Sequence, residues 1–142
     1  MRKWGDRSTQ VRSELHPTLA YYLDRVLEEV ADISLICGHR NQKDQIKAYF
    51  SGNSKLMWPT GKHNQLPSLA VDFQPYPMPD GKAKRWAALA YVAGHIIQMA
   101  AQDGVVIRWG GDWDSDGDLT DQKFDDLFHL EITIPESCDD EA

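Results

Sequence analysis

The sequence predicts a small α+β domain in which an antiparallel or mixed sheet has helices packed to one side. Short apolar runs of strand length alternate along the chain with longer segments whose apolar residues recur at helical spacing. The 142 residues, 42% of them apolar and 26% charged, suit one domain with a single hydrophobic core. We therefore interpret residues 1–142 as one domain. We expect an N-terminal arm over residues 1–12 and an acidic tail over residues 136–142 to be flexible.

The first half of the chain contains two predicted helices and two predicted strands. Pro17 begins the first helix, because proline favours a first helical turn and apolar residues follow it at helical spacing. These apolar residues are Leu19, Leu23, Val26, Leu27 and Val30. A second helix spans about residues 41–50 and is ended by Gly52. Residues 33–37 and 69–73 are predicted as short buried strands, and a long loop rich in Gly, Pro, Asn and Ser precedes the second strand.

The second half begins with the longest predicted helix, over about residues 82–102 and ended by Gly104. One face of this helix carries its apolar residues, Trp86, Leu89, Ala90, Ala93, Ile97 and Ala100. Residues 105–109 are a predicted strand, an Asp- and Gly-rich loop follows, and a final strand spans about residues 127–134.

Composition excludes several classes of function. The net charge of -7 disfavours binding to nucleic acids and to anionic membranes, because both are bound through clustered Lys and Arg. The basic start lacks a following apolar stretch, so we expect no signal peptide, and no apolar segment reaches the ~20 residues that span a membrane. The two cysteines, Cys37 and Cys138, have no CxxC spacing, so a metal would need histidines and carboxylates.

Three residues form a candidate metal site: His63 in a loop, Asp72 in the strand nine residues further on, and His129 in the final strand. Three protein ligands leave a fourth position open for water, which is typical of catalytic zinc. The spacing alone is a weak signal. The apolar neighbours of Asp72 and His129 strengthen it, because a buried carboxylate needs a cation as its partner.

Two further residues are candidates for catalysis. Asp126, three residues before His129, could act as general base and then general acid. The alternative is a solvated turn residue beside Asp125. Arg40, at the end of the first strand, could stabilise an oxyanion or bind a substrate carboxylate, or it could be a surface residue paired with Asp44.

A second candidate metal site, for calcium, begins at Asp112. Asp112, Asp114 and Asp116 alternate and are followed by Gly117, as at the beginning of an EF-hand loop. The twelfth position is Lys123 instead of the usual Glu, although Asp118, Asp121 or Asp125 could complete an oxygen cage. Calcium binding and a solvated Asp/Gly turn are both consistent with this pattern.

Four ordered segments carry a resemblance to a known family. GHRNQKDQIKAYFSG, GKHNQLPSLAVDFQPYP, RWGGDWDSDGD and FDDLFHLEI resemble the metallopeptidases grouped with D-Ala-D-Ala carboxypeptidases, and among these the L-alanyl-D-glutamate endopeptidases that serve as phage endolysins. The resemblance covers about residues 13–134. It implies the small zinc-peptidase fold shared with the hedgehog signalling domain.

The resemblance also implies roles for individual residues. His63, Asp72 and His129 match the zinc ligands, Asp126 matches the catalytic acid/base, and Arg40 matches the arginine after the first strand. The sequence departs from the family pattern in two places. Gly61 stands where the family has a Ser that could make a hydrogen bond near the zinc His, and Pro67-Ser68 lengthens the gap before the second ligand.

The resemblance implies a zinc-dependent endopeptidase that hydrolyses the L-Ala-D-Glu bond of peptidoglycan stem peptides, with calcium as a regulator. We expect a monomer that accumulates in the host cytoplasm and reaches the cell wall after the membrane is permeabilised. One alternative is a D-Ala-D-Ala carboxypeptidase or dipeptidase on the same fold. Another is a non-catalytic metal-binding interaction module.

Overall fold

The computed structural model describes residues 1–120 and 125–134, in which there are four α-helices and four strands. The helices are α1 (Asp6–Arg12), α2 (Pro17–Glu29), α3 (Gln42–Phe50) and α4 (Lys82–Gln102). The strands are β1 (Ile33–Cys37), β2 (Ala70–Pro75), β3 (Val106–Gly110) and β4 (Asp126–Thr133), and a short 3-10 turn spans Lys62–Asn64. The acidic tail lies outside the described residues, as do Asp121 and Lys123 of the candidate calcium loop.

The four strands form one sheet in the order β1-β2-β4-β3. Each neighbouring pair is antiparallel, so the α+β prediction is confirmed, with the sheet in the antiparallel of its two expected forms. Asp72 of β2 pairs with His129 of β4. On the other side of β4 a register shift follows Trp109, and Gly110 pairs with Asp126.

The two faces of the sheet differ because successive side chains of a strand point to opposite faces. Val71 and Phe73 of β2 and Leu130 and Ile132 of β4 are fully buried in the core. The alternate positions on these strands include Asp72, His129 and Glu131, which face a cleft. Helices α2 and α4 cover the apolar face through Leu19, Leu23, Val26, Leu89, Ala93 and Ile96. One face of the sheet therefore forms the core, and the opposite face carries polar chemistry.

Helix α1 lies within the segment that we predicted as a flexible N-terminal arm. Val11 is buried in the core, and the Ser8 hydroxyl accepts a hydrogen bond from Leu35 N of β1 at 3.0 Å. Arg7 donates to the Ile36 carbonyl at 3.0 Å. The helix thus covers the outer edge of β1. The expectation missed it because these contacts join segments that are distant in the sequence.

The other helix boundaries agree with the sequence predictions to within one residue. His16 accepts a hydrogen bond from Thr18 N at the beginning of α2, and Asn41 accepts one from Asp44 N at the beginning of α3. Gly104 follows α4 with a φ of 75°, a left-handed conformation that glycine adopts without strain. Within the described part of the chain, no helix is both long and apolar enough to cross a membrane.

Candidate metal centre and active-site cleft

His63, Asp72 and His129 converge at one end of the cleft. His63 Nε2 lies 3.3 Å from Asp72 Oδ1 and 3.2 Å from His129 Nδ1, and His129 Nδ1 lies 3.7 Å from Asp72 Oδ1. Ligands bound at ~2.0–2.1 Å to a tetrahedral zinc ion are separated from one another by about 3.3 Å. The three predicted ligand residues are therefore brought together at the spacing that one zinc ion requires.

The fold places these side chains through two kinds of contact. Asp72 and His129 are directly opposite each other in the β2–β4 pair, so the register of the sheet sets their separation. His63 lies on the 3-10 turn Lys62–Asn64, which is joined to β2 by a hydrogen bond from Leu69 N to Lys62 O at 3.2 Å.

In each imidazole, the outer nitrogen, which is the one that points away from Asp72, makes a hydrogen bond to an acceptor. His63 Nδ1 donates to the Gly38 carbonyl at 2.6 Å, and His129 Nε2 donates to Glu131 Oε1 at 2.8 Å. Because a carbonyl oxygen can only accept, His63 Nδ1 carries a proton, and loss of the proton from Nε2 would free a lone pair there for a cation. Outer hydrogen bonds of this kind are typical of metal-binding histidines. The inner nitrogens, which face Asp72, are those available to a cation.

The charges around His129 favour a cation at this position. Burial alone would lower the pKa of His129, but hydrogen bonds to Asp72 and Glu131 raise this pKa to about 9. Burial alone would raise the pKa of Asp72, but hydrogen bonds from His129 and His63 hold it well below its usual range. A divalent ion would supply the positive charge that these carboxylates require, so the donor set fits zinc.

Asp126 and Arg40 line the same cleft as the three candidate ligands. Burial of Asp126, followed in importance by the nearby charge of Asp72, raises the pKa of this carboxyl. Arg40 Nη1 donates to Gln45 Oε1 at 3.0 Å, and its Nη2 lies 3.7 Å from Asp72 Oδ2. Arg40 is thus directed into the cleft, and the alternative of a surface arginine paired with Asp44 is wrong.

Gly61 lacks the Ser side chain of the family pattern, and Asn64 takes the space that this side chain would occupy. Asn64 Oδ1 accepts a hydrogen bond from Gly61 N at 2.9 Å, and a Cβ built on Gly61 would lie 3.0 Å from this oxygen. Asn64 Nδ2 donates to the Arg40 carbonyl and to Gln45 Oε1, each at 3.1 Å. Asn64 thus links the turn that carries His63 to Arg40.

The cleft has a volume of about 730 Å³, which is large enough for a short peptide. Arg40, Lys55, Lys62 and Arg108 line it, although the chain as a whole has a net charge of -7. Asp72, Asp126 and Glu131 line it too, and Arg40 lies against Asp72 while Lys62 and Arg108 pair with Glu131. The cleft therefore offers a peptide both positive and negative partners.

Sequence reasoning missed four residues of this site: Glu131, Lys62, Arg108 and Trp113. For Glu131 a signal was present, because this carboxylate stands between Leu130 and Ile132 in an apolar strand, two residues after His129. Nothing local marks the other three residues, which reach the site through the fold.

The carboxylates of the acidic loop also converge. Ligand atoms of Asp112, Asp114 and Asp116 lie within 4.8 Å of one another. Asp112 Oδ2 accepts a hydrogen bond from Gly117 N at 3.0 Å, while its buried Oδ1 has no hydrogen-bond partner. Asp118, a candidate to complete the cage, accepts from Thr120 N at 2.9 Å. Calcium binding stays a prediction.

Comparisons with known proteins match the chain to one family and one fold. The family model described as phage L-alanyl-D-glutamate peptidase matches residues 1–133. Seven chains of solved structures match, among them the L-Ala D-Glu endopeptidase ChiX of Serratia marcescens, which is 24% identical with a TM-score of 0.67. That alignment covers 90% of this chain and 87% of ChiX, and at this identity it shows a shared fold. A search of curated proteins found no match.

Proposed function

The chain belongs to the family of phage L-alanyl-D-glutamate peptidases, and we propose that it is a zinc-dependent endopeptidase that hydrolyses the L-Ala-D-Glu bond of peptidoglycan stem peptides. Membership of this family makes the protein a peptidase. The observation that carries the zinc dependence is the convergence of His63 Nε2, Asp72 Oδ1 and His129 Nδ1. The family description supports the choice of bond.

In the proposed mechanism, His63, Asp72 and His129 would hold a zinc ion, which would supply Lewis-acid activation of the scissile carbonyl and of the attacking water. Asp126 accepts the proton of the water as it attacks and returns it to the leaving amine. The raised pKa of Asp126 suits this exchange, because a carboxyl of higher pKa both accepts and donates a proton more readily. The Arg40 guanidinium stabilises the negative charge that develops on the carbonyl oxygen.

The family description also supports a proposal for the biological role. We propose that the protein acts as an endolysin, which accumulates in the host cytoplasm and degrades the wall after the membrane has been permeabilised. Its partner is then the stem peptide, and the cleft volume of about 730 Å³ accommodates a short peptide. The monomeric state stays a prediction.

The test is digestion of purified peptidoglycan with analysis of the products by mass spectrometry. We expect new D-Glu amino termini. A chelator should abolish their appearance and added zinc should restore it. Asp126→Ala should lower the rate by about 10²–10⁴-fold, the usual contribution of a general acid/base, while zinc content is retained. Asp80→Ala, which alters an exposed carboxylate that does not line the cleft, is the control and should retain activity.

Each other outcome contradicts a different part of the proposal. Release of terminal D-Ala in place of D-Glu termini would identify a carboxypeptidase. Hydrolysis that persists after metal removal would exclude zinc dependence. Zinc binding without hydrolysis of any peptide bond would identify an interaction module.

A second proposal concerns calcium binding by the acidic loop. We propose that Asp112, Asp114 and Asp116 bind one calcium ion, which orders the loop that begins at Asp112 and so positions the strand that carries Asp126 and His129. The grouping of their ligand atoms and the unpartnered Asp112 Oδ1 support it. Titration calorimetry should detect one site that Asp114→Asn removes. No heat of binding at millimolar calcium would leave the loop as a solvated turn.

A further inference from the structure

Glu131 is a buried carboxylate on the cleft face of β4, and both of its oxygens are engaged. Oε1 accepts from His129 Nε2 at 2.8 Å, while Oε2 accepts from Arg108 Nη2 at 2.8 Å and lies 3.1 Å from Lys62 Nζ. Its side chain is only 8% exposed. A carboxylate this buried is stable only when its charge is compensated, and the two cations supply the compensation.

The partners of Glu131 join three parts of the fold. Glu131 and His129 lie on β4, and Arg108 lies on β3. Lys62 precedes His63 in the 3-10 turn, and its Nζ also donates to the Ile132 carbonyl at 3.0 Å. The cluster therefore connects the turn that carries one candidate ligand to the strand that carries another.

A second contact restrains the ring of His129. The ring centroids of Trp113 and His129 are 5.4 Å apart, and the Arg108 guanidinium lies 5.0 Å from the centroid of the Trp113 ring. The imidazole is thus held at its outer nitrogen by Glu131, and Trp113 packs against it. Arg108 contacts both of these restraining groups.

We propose that Glu131, held between Lys62 and Arg108, is a positioning residue for the metal centre. It fixes His129 with Nδ1 directed at Asp72, and through Lys62 it sets the distance between the two histidines. This inference rests on the proposed zinc centre. Without the Glu131 carboxylate, His129 Nε2 loses its hydrogen-bond acceptor. The positive charges of Lys62 and Arg108 then lie uncompensated near a divalent ion.

The experiment measures zinc affinity and the geometry of the bound metal. The zinc dissociation constant is obtained by competition with a chromophoric chelator for the wild type, Glu131→Ala, Glu131→Gln and Lys62→Met. Cobalt-substituted proteins report the ligand geometry through their visible absorption. Glu29→Gln is the matched control, because Glu29 forms a comparable ion pair with Arg25 on the exposed side of α2.

We expect Glu131→Ala to weaken zinc binding about 10–100-fold, as loss of a hydrogen-bond partner of a metal ligand commonly does, and to alter the cobalt spectrum. Glu131→Gln should recover part of the affinity, because the amide oxygen can still accept from His129 Nε2. Lys62→Met should weaken zinc binding less than Glu131→Ala, and Glu29→Gln should leave it unchanged.

The inference is overturned if Glu131→Ala and Glu131→Gln bind zinc as tightly as the wild type with an unchanged cobalt spectrum. Lower stability alone would then show that the cluster is only a structural ion pair. If Glu131→Ala does not fold, Glu131→Gln and Lys62→Met decide the question. A wild type that binds no zinc would overturn the metal centre and this inference together. Weakened zinc binding without L-Ala-D-Glu hydrolysis would support the inference while contradicting the assigned bond.

Discussion

Gly110 and Gly111 show how closely single residues are constrained around Asp126, the proposed general acid/base. A Cβ on Gly110 would lie 2.0 Å from the Asp126 carbonyl oxygen, and one on Gly111 would lie 2.3 Å from the Trp109 ring. No side chain fits at such distances, so the two glycines allow β3 to approach the beginning of β4. The position of Asp126 therefore depends on Gly110, which has no side chain.

At this scale we predict that Gly110→Ala lowers kcat about 100-fold, because a displacement of ~1 Å at a catalytic group has an effect of that size. Zinc content should be retained, since the substitution adds its methyl group beside Asp126 and not beside a ligand. Because the added methyl group meets the backbone of Asp126, overpacking should also cost about 3 kcal/mol or more of unfolding free energy. Steady-state kinetics and denaturant unfolding measure the two effects.

Gly94→Ala is the control for this substitution. Gly94 lies within α4, and no atom lies within 4 Å of a Cβ built there. Alanine at this helical position should raise the free energy of unfolding by about 0.5–1 kcal/mol and leave kcat unchanged. A Gly110→Ala protein with wild-type kcat would show that the β3–β4 approach does not control Asp126.

Among the elements, helix α1 has a role that its length does not indicate. It has only seven residues, too few to be stable alone. It forms because β1 is an edge strand whose unpaired backbone groups need partners, which Ser8 and Arg7 supply. Asp24 of α2 anchors the same segment by accepting from Trp4 Nε1 and Arg12 Nε, each at 2.8 Å.

We predict that Asp24→Asn lowers the free energy of unfolding by about 0.5–1 kcal/mol, a modest value because both members of the Arg12–Asp24 pair are partly exposed and screened by solvent. Burial alone would raise the pKa of Asp24, but hydrogen bonds from Arg12 and Trp4 outweigh it and lower this pKa. A lowered folded-state pKa stabilises the protein above the unfolded-state value of about 3.9.

The difference in free energy of unfolding between the wild type and Asp24→Asn should therefore reach its maximum above about pH 5. It should decrease as the pH falls below about 4. Urea unfolding of both proteins across this range measures it, and subtraction removes the titration of the other carboxyls. A difference that does not change with pH would contradict the ionic anchor.

At the scale of the whole molecule, the proposed metal centre joins segments that are far apart in the chain. His63 lies on the 3-10 turn, Asp72 on β2 and His129 on β4, so an ion bound by all three favours the folded chain over the unfolded one. The two strands also contribute Val71 and Leu130 to the core. Binding at the cleft and packing of the core are thus linked through the same sheet.

We predict that zinc at a free concentration 100-fold above its dissociation constant raises the free energy of unfolding by about 2.7 kcal/mol. Denaturant unfolding in zinc-buffered solution measures this stabilisation. His63→Ala should reduce it strongly, because a ligand is lost. Equal stabilisation of His63→Ala would place the bound zinc somewhere other than the proposed centre.

Much of the fold and the position of the candidate ligands were predictable from local patterns. The bounds of α4 follow from its helical period and Gly104, and the alternation Val71-Asp72-Phe73 places one carboxylate on the face opposite the core. The same alternation places His129 beside Leu130. These features can be inferred from the sequence because each depends on residues that are neighbours in it.

Other features were decided only by the tertiary structure. The pairing of Asp72 with His129 requires the register of β2 against β4, and Glu131 meets Lys62 only after the 3-10 turn packs against β4. Helix α1 likewise depends on the free edge of β1. Sequence patterns specify which face of an element a side chain occupies, because that follows from local geometry. They do not specify which faces meet, because that is decided by the packing of the whole chain.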